Sequence, residues 1–193
     1  AGNLARHTLT LNDLSQLKAE AVANRLNKAN PQAQIAAICD DFPPRSPIEK
    51  EACNDCDVII DCTGSDEVLL SLKNFPWKSD KVFYSFSIGY GAKRLFCFQT
   101  WSNQFPHSIF HSMIQPWLDL ERKENPNAVM PMEGIGCWHP VFPARNDDVW
   151  LLASSGIKWL DATIMDVQLQ EHRMAIFEQV YENGLFAGVH LRT

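Results

Sequence analysis

The chain lacks several features that would place it in a specialised class of protein. Its 193 residues include only six cysteines, which are too sparse for a disulfide scaffold. No run approaches the roughly 18 apolar residues that a membrane-spanning helix needs. Basic charge is not in excess, since 17 Lys and Arg stand against 23 Asp and Glu and the net charge is −6. We therefore expect neither a membrane protein nor a nucleic-acid binder held by bulk positive charge.

The first ten residues do not predict a signal peptide. The opening string AGNLARHTLT has no initiator Met, no basic stretch leading into an apolar one and no small-residue cleavage pattern. Cysteines inside apolar strand-like runs fit a reducing compartment, which favours the cytoplasm. With 46% apolar and 21% charged residues, the composition predicts one globular domain over residues 1–193.

The first part of the chain predicts a helix followed by a strand. Apolar residues recur at three- and four-residue spacing over 13–29, which is typical of one helix face. Asp13 is the expected cap at its start, and Asn30-Pro31 is expected to end it, because a residue before proline is pushed out of the helical region. The string QIAAI at 34–38 then predicts a short strand.

A second apolar run predicts a strand of a parallel sheet. Val58, Ile59 and Ile60 are followed by Asp61, the pattern of a strand buried on both faces. Alternating helices and strands favour an α/β fold with a Rossmann-like doubly wound sheet. Ligands gather outside the carboxyl ends of strands in such sheets, where the string from Asp61 to Asp66 would lie.

The second half of the chain predicts two antiparallel hairpins and two helices, so the sheet is expected to be mixed. Gly89-Tyr90-Gly91 and Asn183-Gly184 each separate two strand-like runs. A helix is expected over 104–123, which Pro116 interrupts or kinks. Another helix is expected over 149–164, largely buried.

Two groups of polar residues are candidates for binding phosphate and metal. Asn3, Arg6 and Lys18 bracket the start of the first helix, whose positive end favours anions. The alternative is a solvated face, since surface cations are common. Asp61 or Asp66, in DCTGSD, offers oxygen ligands for a divalent metal such as Mg²⁺.

Three strings together resemble the ThiF/MoeB/HesA family of ubiquitin-activating-enzyme-like adenylating proteins. They are Gly2-Asn3-Leu4-Ala5-Arg6-His7, then Lys18-Ala19-Glu20 opening a helix that ends at Asn30-Pro31, then Asp57 to Thr63. The likeness is good over residues 2–63, fainter over 82–99, and returns in the string GCWHP.

The resemblance implies a nucleotide-binding α/β domain that adenylates the C-terminal glycine of a ubiquitin-like or sulfur-carrier protein with ATP and Mg²⁺. It implies that Asn3, Arg6 and Lys18 face the ATP phosphates, with Arg6 and Lys18 as catalytic cations, and that Asp61 and Thr63 also contact the nucleotide. Such cations suit the reaction, because acyl activation builds negative charge that fixed positive groups stabilise.

The chain departs from the family pattern in two places. The family's metal aspartate directly follows the Thr, but this chain has Gly64 there, so the role shifts to Asp66, falls to Asp61, or is lost. The family's first strands and its Gly-x-Gly-x-x-Gly turn lie upstream of the Asn-Leu-x-Arg motif and are not in this sequence. We therefore expect the C-terminal part of a longer adenylating protein, which as a fragment binds ATP poorly.

Cys137 is the candidate acyl acceptor. It lies in GIGCWHPVF, where Gly134 and Gly136 permit an exposed bent backbone and His139 can lower the thiol pKa. GCWHP resembles the cysteine segment of bacterial family members that are fused to, or encoded beside, conjugating-enzyme-like and deubiquitinase-like modules. The alternative is a buried structural cysteine.

Two other pairs of residues are of metal-binding types, and neither is favoured as a metal site: the cysteines are expected to cover a helix–strand junction. Cys53-x-x-Cys56 has no second pair at zinc-finger spacing. His107-x-x-x-His111 places two imidazoles on one helix face, but Ser108 stands where zincins have Glu, so both histidines are expected to be surface residues.

Two other functions are weighed against adenylation, and the chain is expected to form a dimer. A relative that lost ATP chemistry would be a protein-docking module, and a dehydrogenase-like domain would use the same sheet for a nicotinamide cofactor. The second rival leaves Asn-Leu-x-Arg and the helix Lys18 unexplained. Uncovered sheet edges and apolar hairpins favour a homodimer.

Overall fold

The computed structural model describes residues 9–10, 13, 15–127, 144–164 and 172–192. The chain divides into two compact units, residues 1–53 and 54–193. Within the described ranges, no helix combines the length and apolar character needed to cross a membrane. The main elements are α1 (Lys18–Ala29), α2 (Pro47–Asn54), β1 (Val58–Asp61), α3 (Asp66–Asn74), β2 (Lys81–Ile88), β3 (Arg94–Ser102), α4 (His107–Glu124), α5 (Asn146–Thr163), β4 (Arg173–Glu182) and β5 (Leu185–Arg192).

Helix α1 in the first unit ends where the sequence predicts but begins later. The N–H of Asn30 donates to the carbonyl oxygen of Leu26 at 2.8 Å and closes the last turn before Pro31. The prediction that Asp13 caps the helix is wrong. Its carboxylate accepts hydrogen bonds from the N–H and the hydroxyl of Thr10, at 2.7 and 2.9 Å, and so closes a turn that precedes the helix.

The strand predicted over 34–38 is also wrong, because no strand forms there. The side chain of Asn27 donates to the carbonyl oxygen of Ile35 at 2.8 Å and accepts from its N–H at 3.0 Å. Both backbone polar groups of Ile35 are thereby paired with an amide of α1 instead of a neighbouring strand.

The second unit contains a five-stranded mixed sheet in the order β1-β2-β3-β4-β5. Strands β1 and β2 are parallel, and the remaining neighbours are antiparallel. The mixed α/β fold class, the strand ending at Asp61 and both hairpins are confirmed. The expectation that this strand is buried on both faces is wrong, because β1 is the edge strand of the described sheet and Ile60 is 46% exposed. Asn183 and Gly184 turn the second hairpin with φ of 51° and 78°, the left-handed conformation that an Asn-Gly pair adopts readily.

Helices α5 and α4 cover opposite faces of β3. Because side chains alternate along a strand, Leu95 and Cys97 pack with Leu152 of α5. Phe98 points the other way and meets Phe110 of α4 at a ring-centroid distance of 5.3 Å. The two helices thus enclose the central strand between two apolar layers.

Both of these helices differ from their sequence-based descriptions. Helix α4 continues through Pro116 from His107 to Glu124, so the expected interruption at Pro116 is wrong, while a kink there stays a prediction. Helix α5 is not largely buried, since Ile157 is 63% exposed and Trp150 is 48% exposed. The apolar residues of α5 extend around the helix, but the sheet covers only one side of it. The apolar residues on the other side are therefore exposed.

A buried guanidinium joins α4 to the sheet. Arg94, 1% exposed, donates to both carboxylate oxygens of Glu124 at 2.8 and 2.9 Å and to Glu178 of β4 at 2.6 Å. The hydrogen bond from Arg94 lowers the pKa of Glu124 to about 2. Two parallel hydrogen bonds from one guanidinium to one carboxylate make a strong ion pair.

Replacing Arg94 with Met should lower the free energy of unfolding by about 3–5 kcal/mol, because the hydrogen bonds of a buried guanidinium are lost and the buried carboxylate of Glu121, 3.8 Å away, loses its cationic partner. The matched control is Arg122→Met in α4, which removes an exposed pair with Asp119 and should cost only about 0–1 kcal/mol. Urea unfolding of the three proteins measures both changes. Equal losses in the two variants would contradict the role assigned to Arg94.

Candidate functional site

The turn that follows β1 is organised by the carboxylate of Asp61. This side chain is 4% exposed. Its Oδ1 accepts from the N–H of Thr63 at 3.0 Å and from the Thr63 hydroxyl at 2.6 Å, while its Oδ2 accepts from the hydroxyl of Ser85 at 2.9 Å. The Thr63 oxygen in turn accepts from the N–H of Ser65 at 3.2 Å. These bonds fix the backbone that leads from β1 into α3.

Gly64 occupies a left-handed backbone conformation in this turn. Its φ is 64°, which glycine adopts without the steric cost that a Cβ imposes. The departure from the family pattern, Gly instead of Asp after Thr63, therefore coincides with a conformation that favours glycine.

Asp66, the first residue of α3, lies against two imidazoles of α4. Its Oδ1 is 2.7 Å from Nε2 of His107 and 2.5 Å from Nε2 of His111. The two Nε2 atoms are 3.1 Å apart. Burial by itself raises the pKa of Asp66, but the hydrogen bonds from His111 and His107 outweigh it, so the pKa is lowered. The histidines are partly exposed, as expected of surface residues, but they also contact Asp66 and each other.

An aromatic cluster anchors the first turns of α4, which carry these two imidazoles. Phe110 lies one residue before His111 and three after His107, and it is 6% exposed. Its ring packs on Phe98 and Phe105 at centroid distances of 5.3 and 5.7 Å, and its edge meets the ring of His111 at 5.6 Å. The histidines therefore project from a helix end that is anchored in the core.

An apolar cavity of about 230 Å³ opens beside the turn that follows β1. It lies between β1, β2 and α5, and its few polar groups include the hydroxyls of Thr63 and Ser87. Concave sites with an apolar lining and few polar groups are typical of small-ligand pockets. The apolar lining includes Ile60, Phe86, Ile88, Leu95, Ile157 and Leu160.

The predicted site residues fall into three sets. Asp61, Thr63 and Asp66 belong to the turn after β1 and the start of α3. Lys18 is the exposed first residue of α1 in the first unit. Asn3, Arg6 and Cys137, together with His139, lie outside the described residues, so their roles stay predictions.

Sequence reasoning missed the grouping of Asp66 with His107 and His111. The spacing of the histidines, four residues apart, was a visible signal for one helix face. The carboxylate comes from 41 residues before His107, and no local pattern points to it.

Comparison with known proteins gives two matches. The sequence profile of the ThiF family matches residues 1–90. The chain is 42% identical over 163 residues to the ATP-dependent ubiquitin transferase-like protein Cap2 of Enterobacter hormaechei subsp. hoffmannii (strain UCI 50). That alignment covers 82% of this chain and 26% of the relative. The chain thus matches about a quarter of the length of that curated protein.

Replacing Asp61 with Ala should lower the free energy of unfolding by about 2–3 kcal/mol, because hydrogen bonds to a buried charged group are lost. Asp57→Ala, which removes an exposed carboxylate just before β1, is the matched control and should change stability by about 0.5 kcal/mol or less. Thermal and urea unfolding measure the difference. Indistinguishable losses would mean that Asp61 does not organise the turn.

Proposed function

We propose that the protein performs ATP-dependent adenylation of the C-terminus of a ubiquitin-like or sulfur-carrier protein, starting from the match of residues 1–90 to the ThiF family profile. The observation that carries this proposal is the 42% identity to a relative described as an ATP-dependent ubiquitin transferase-like protein. The ordered turn after β1 adds support, because it lies at the carboxyl end of a strand in a parallel pair, where α/β sheets bind ligands.

The proposed chemistry calls for positive groups around the reacting phosphate. A carboxylate oxygen of the modifier attacks the α-phosphorus, the bond to the bridging oxygen of pyrophosphate breaks, and an acyl-adenylate forms. ATP supplies the activated phosphorus for this step. In the proposal, Lys18 at the start of α1, together with Asn3 and Arg6, binds the phosphate oxygens. The N-terminal turn of α1 adds unpaired N–H groups and the positive end of its dipole.

Neither of the two carboxylates expected to bind Mg²⁺ has surroundings that suit that ion. Asp61 is buried, and both of its oxygens accept hydrogen bonds from Thr63 and Ser85. Asp66 reaches solvent but faces two imidazole nitrogens, whereas Mg²⁺ prefers oxygen ligands. These contacts do not fit a magnesium site, so no step of the proposal depends on Asp61 or Asp66 as a magnesium ligand.

The second proposed step moves the acyl group to Cys137. The thiolate sulfur attacks the acyl carbonyl carbon, a thioester bond forms, the bond to the phosphate oxygen breaks, and AMP leaves. The reaction needs a thiolate, since the protonated thiol is a poor nucleophile. This role rests on the resemblance of the string GCWHP to the cysteine segment of bacterial relatives.

A catalytically inactive protein-docking module is the second candidate. Gly64 favours it, because the aspartate that the family carries after Thr63 is absent and the backbone there is left-handed. A docking module would bind the modifier but release no pyrophosphate.

The proposed partners are proteins. They are the ubiquitin-like or sulfur-carrier modifier, a conjugating-enzyme-like or deubiquitinase-like protein, and a second copy of the chain. The homodimer is supported by the exposed apolar side chains of β5, where Leu185 is 75% exposed, Leu191 53% and Phe186 50%. The cytoplasmic location stays a prediction.

At its natural length, the protein should release pyrophosphate when ATP and its modifier are present. Lys18→Ala should reduce the rate by about 100-fold or more, because one fixed group that stabilises transition-state charge is removed. Lys28→Ala, an exposed lysine in the last turn of the same helix, should leave the rate within about twofold of wild type. Equal rates for the two variants would refute the role of Lys18. Modifier binding without pyrophosphate release would favour the docking module.

Cys137→Ala should abolish the reductant-sensitive adduct between protein and modifier while pyrophosphate release continues, because adenylation precedes transfer to sulfur. Non-reducing gel electrophoresis after incubation with ATP and modifier detects the adduct. Cys39→Ala, which alters an exposed cysteine, should leave the adduct intact. An adduct that persists in Cys137→Ala would remove that residue from the mechanism.

A further inference from the structure

We propose that Asp66, His107 and His111 form a binding site for a divalent transition-metal ion of the Zn²⁺ type. The site has three protein ligands, one from the start of α3 and two from the first turns of α4. It is independent of the adenylation chemistry proposed above. Among the described residues, the potential ligand atoms of Asp66, His107 and His111 lie close enough together to hold one metal ion.

Hydrogen bonding alone leaves this trio crowded, because two imidazole nitrogens share one carboxylate oxygen. If Nε2 of both imidazoles carries a proton, both N–H groups donate to the one oxygen of Asp66 and face each other across 3.1 Å without a bond between them. If one Nε2 is unprotonated, its lone pair faces a carboxylate oxygen at 2.5 or 2.7 Å. A cation between the three atoms removes the conflict, because it accepts all three lone pairs.

The separations are close to those that a metal ion requires. With metal–ligand bonds of about 2.0–2.1 Å in a tetrahedral site, neighbouring ligand atoms lie about 3.3 Å apart. The three ligand atoms are 2.5, 2.7 and 3.1 Å apart here. Each pair therefore needs to widen by less than about 1 Å, a change within reach of side-chain rotation at a solvent-facing site.

The donor set selects the class of ion. Two imidazole nitrogens and one carboxylate oxygen suit Zn²⁺, Co²⁺, Ni²⁺ or Cu²⁺, whereas Mg²⁺ and Ca²⁺ prefer oxygen alone. The side chains of Asp66, His107 and His111 are 29%, 17% and 40% exposed. An ion therefore has an entry path, and a fourth position is left for water, as in three-ligand zinc sites.

The fold positions the ligands in advance. His107 and His111 are separated by one helical turn, so they share a face of α4, and Phe110 between them is anchored on Phe98 and Phe105. A bound ion would cross-link the N-termini of α3 and α4. It should therefore also stabilise the folded chain, because it binds only where the two helices meet.

The test titrates Co²⁺ into the full chain and follows its visible absorption, which reports coordination geometry, with Zn²⁺ competition to rank affinity. Wild type should bind one Co²⁺ at this site, with a spectrum of nitrogen and oxygen ligands. His111→Ala and Asp66→Asn should each weaken binding by about 100-fold or more, since the loss of a direct ligand should exceed the 10–100-fold cost of losing an outer partner. His190→Ala, an exposed histidine of β5, should bind within about twofold of wild type.

Circular dichroism and thermal melting without metal show whether each variant folds. If His111→Ala fails to fold, Asp66→Asn still tests the proposal, because Asn has nearly the same shape as Asp. A rise in melting temperature with Zn²⁺ in wild type, absent in Asp66→Asn, also supports the site. The proposal is overturned if neither metal binds more tightly than about 1 mM, if both ligand variants bind like wild type, or if a thiolate-to-cobalt band identifies cysteine ligands. None of these measurements uses ATP, so they do not depend on the adenylation proposal.

Discussion

The buried guanidinium of Arg94 is the interaction on which the second unit most depends. It is carried by the central strand β3, and its three short hydrogen bonds reach α4 through Glu124 and β4 through Glu178. In a low-dielectric interior such a charge is tolerated only while its partners stay in place. The pair therefore holds the carboxyl end of α4, and Phe110 holds the other end against the aromatic layer under β3. The orientation of the first turns of α4, with both histidines, follows from these two anchors.

Two aspartates in the string DCTGSD have different roles because their surroundings differ. Asp61 ends β1 at the edge of the described sheet, is shielded from water, and accepts hydrogen bonds that shape the turn. Asp66, five residues later, begins a helix, reaches solvent, and meets two imidazoles. Gly64 between them takes a left-handed conformation. Whether a carboxylate in this string can bind a metal ion thus depends on the groups that the fold brings next to it. The number of carboxylates in the string does not decide it.

Several elements were predictable because their signals are local. The apolar run before Asp61, the Asn183-Gly184 turn and the stop at Asn30-Pro31 depend on residues adjacent in the chain, and the structure confirms all three. The strand over 34–38 failed because Asn27 of α1 captures both backbone groups of Ile35. The prediction of a largely buried α5 failed because apolar content does not reveal how many neighbours a helix has.

The sequence by itself determined the α/β class, the two hairpins and the likeness of residues 1–90 to the ThiF family, because short-range periodicity, turn chemistry and motif spacing depend on residues close together in the chain. Only the tertiary structure decided that Asp61 organises a turn while Asp66 joins His107 and His111. That outcome depends on how α3 and α4 pack beside the sheet. Contacts between residues 41 and 45 positions apart arise from burial of the whole core, which no local pattern encodes.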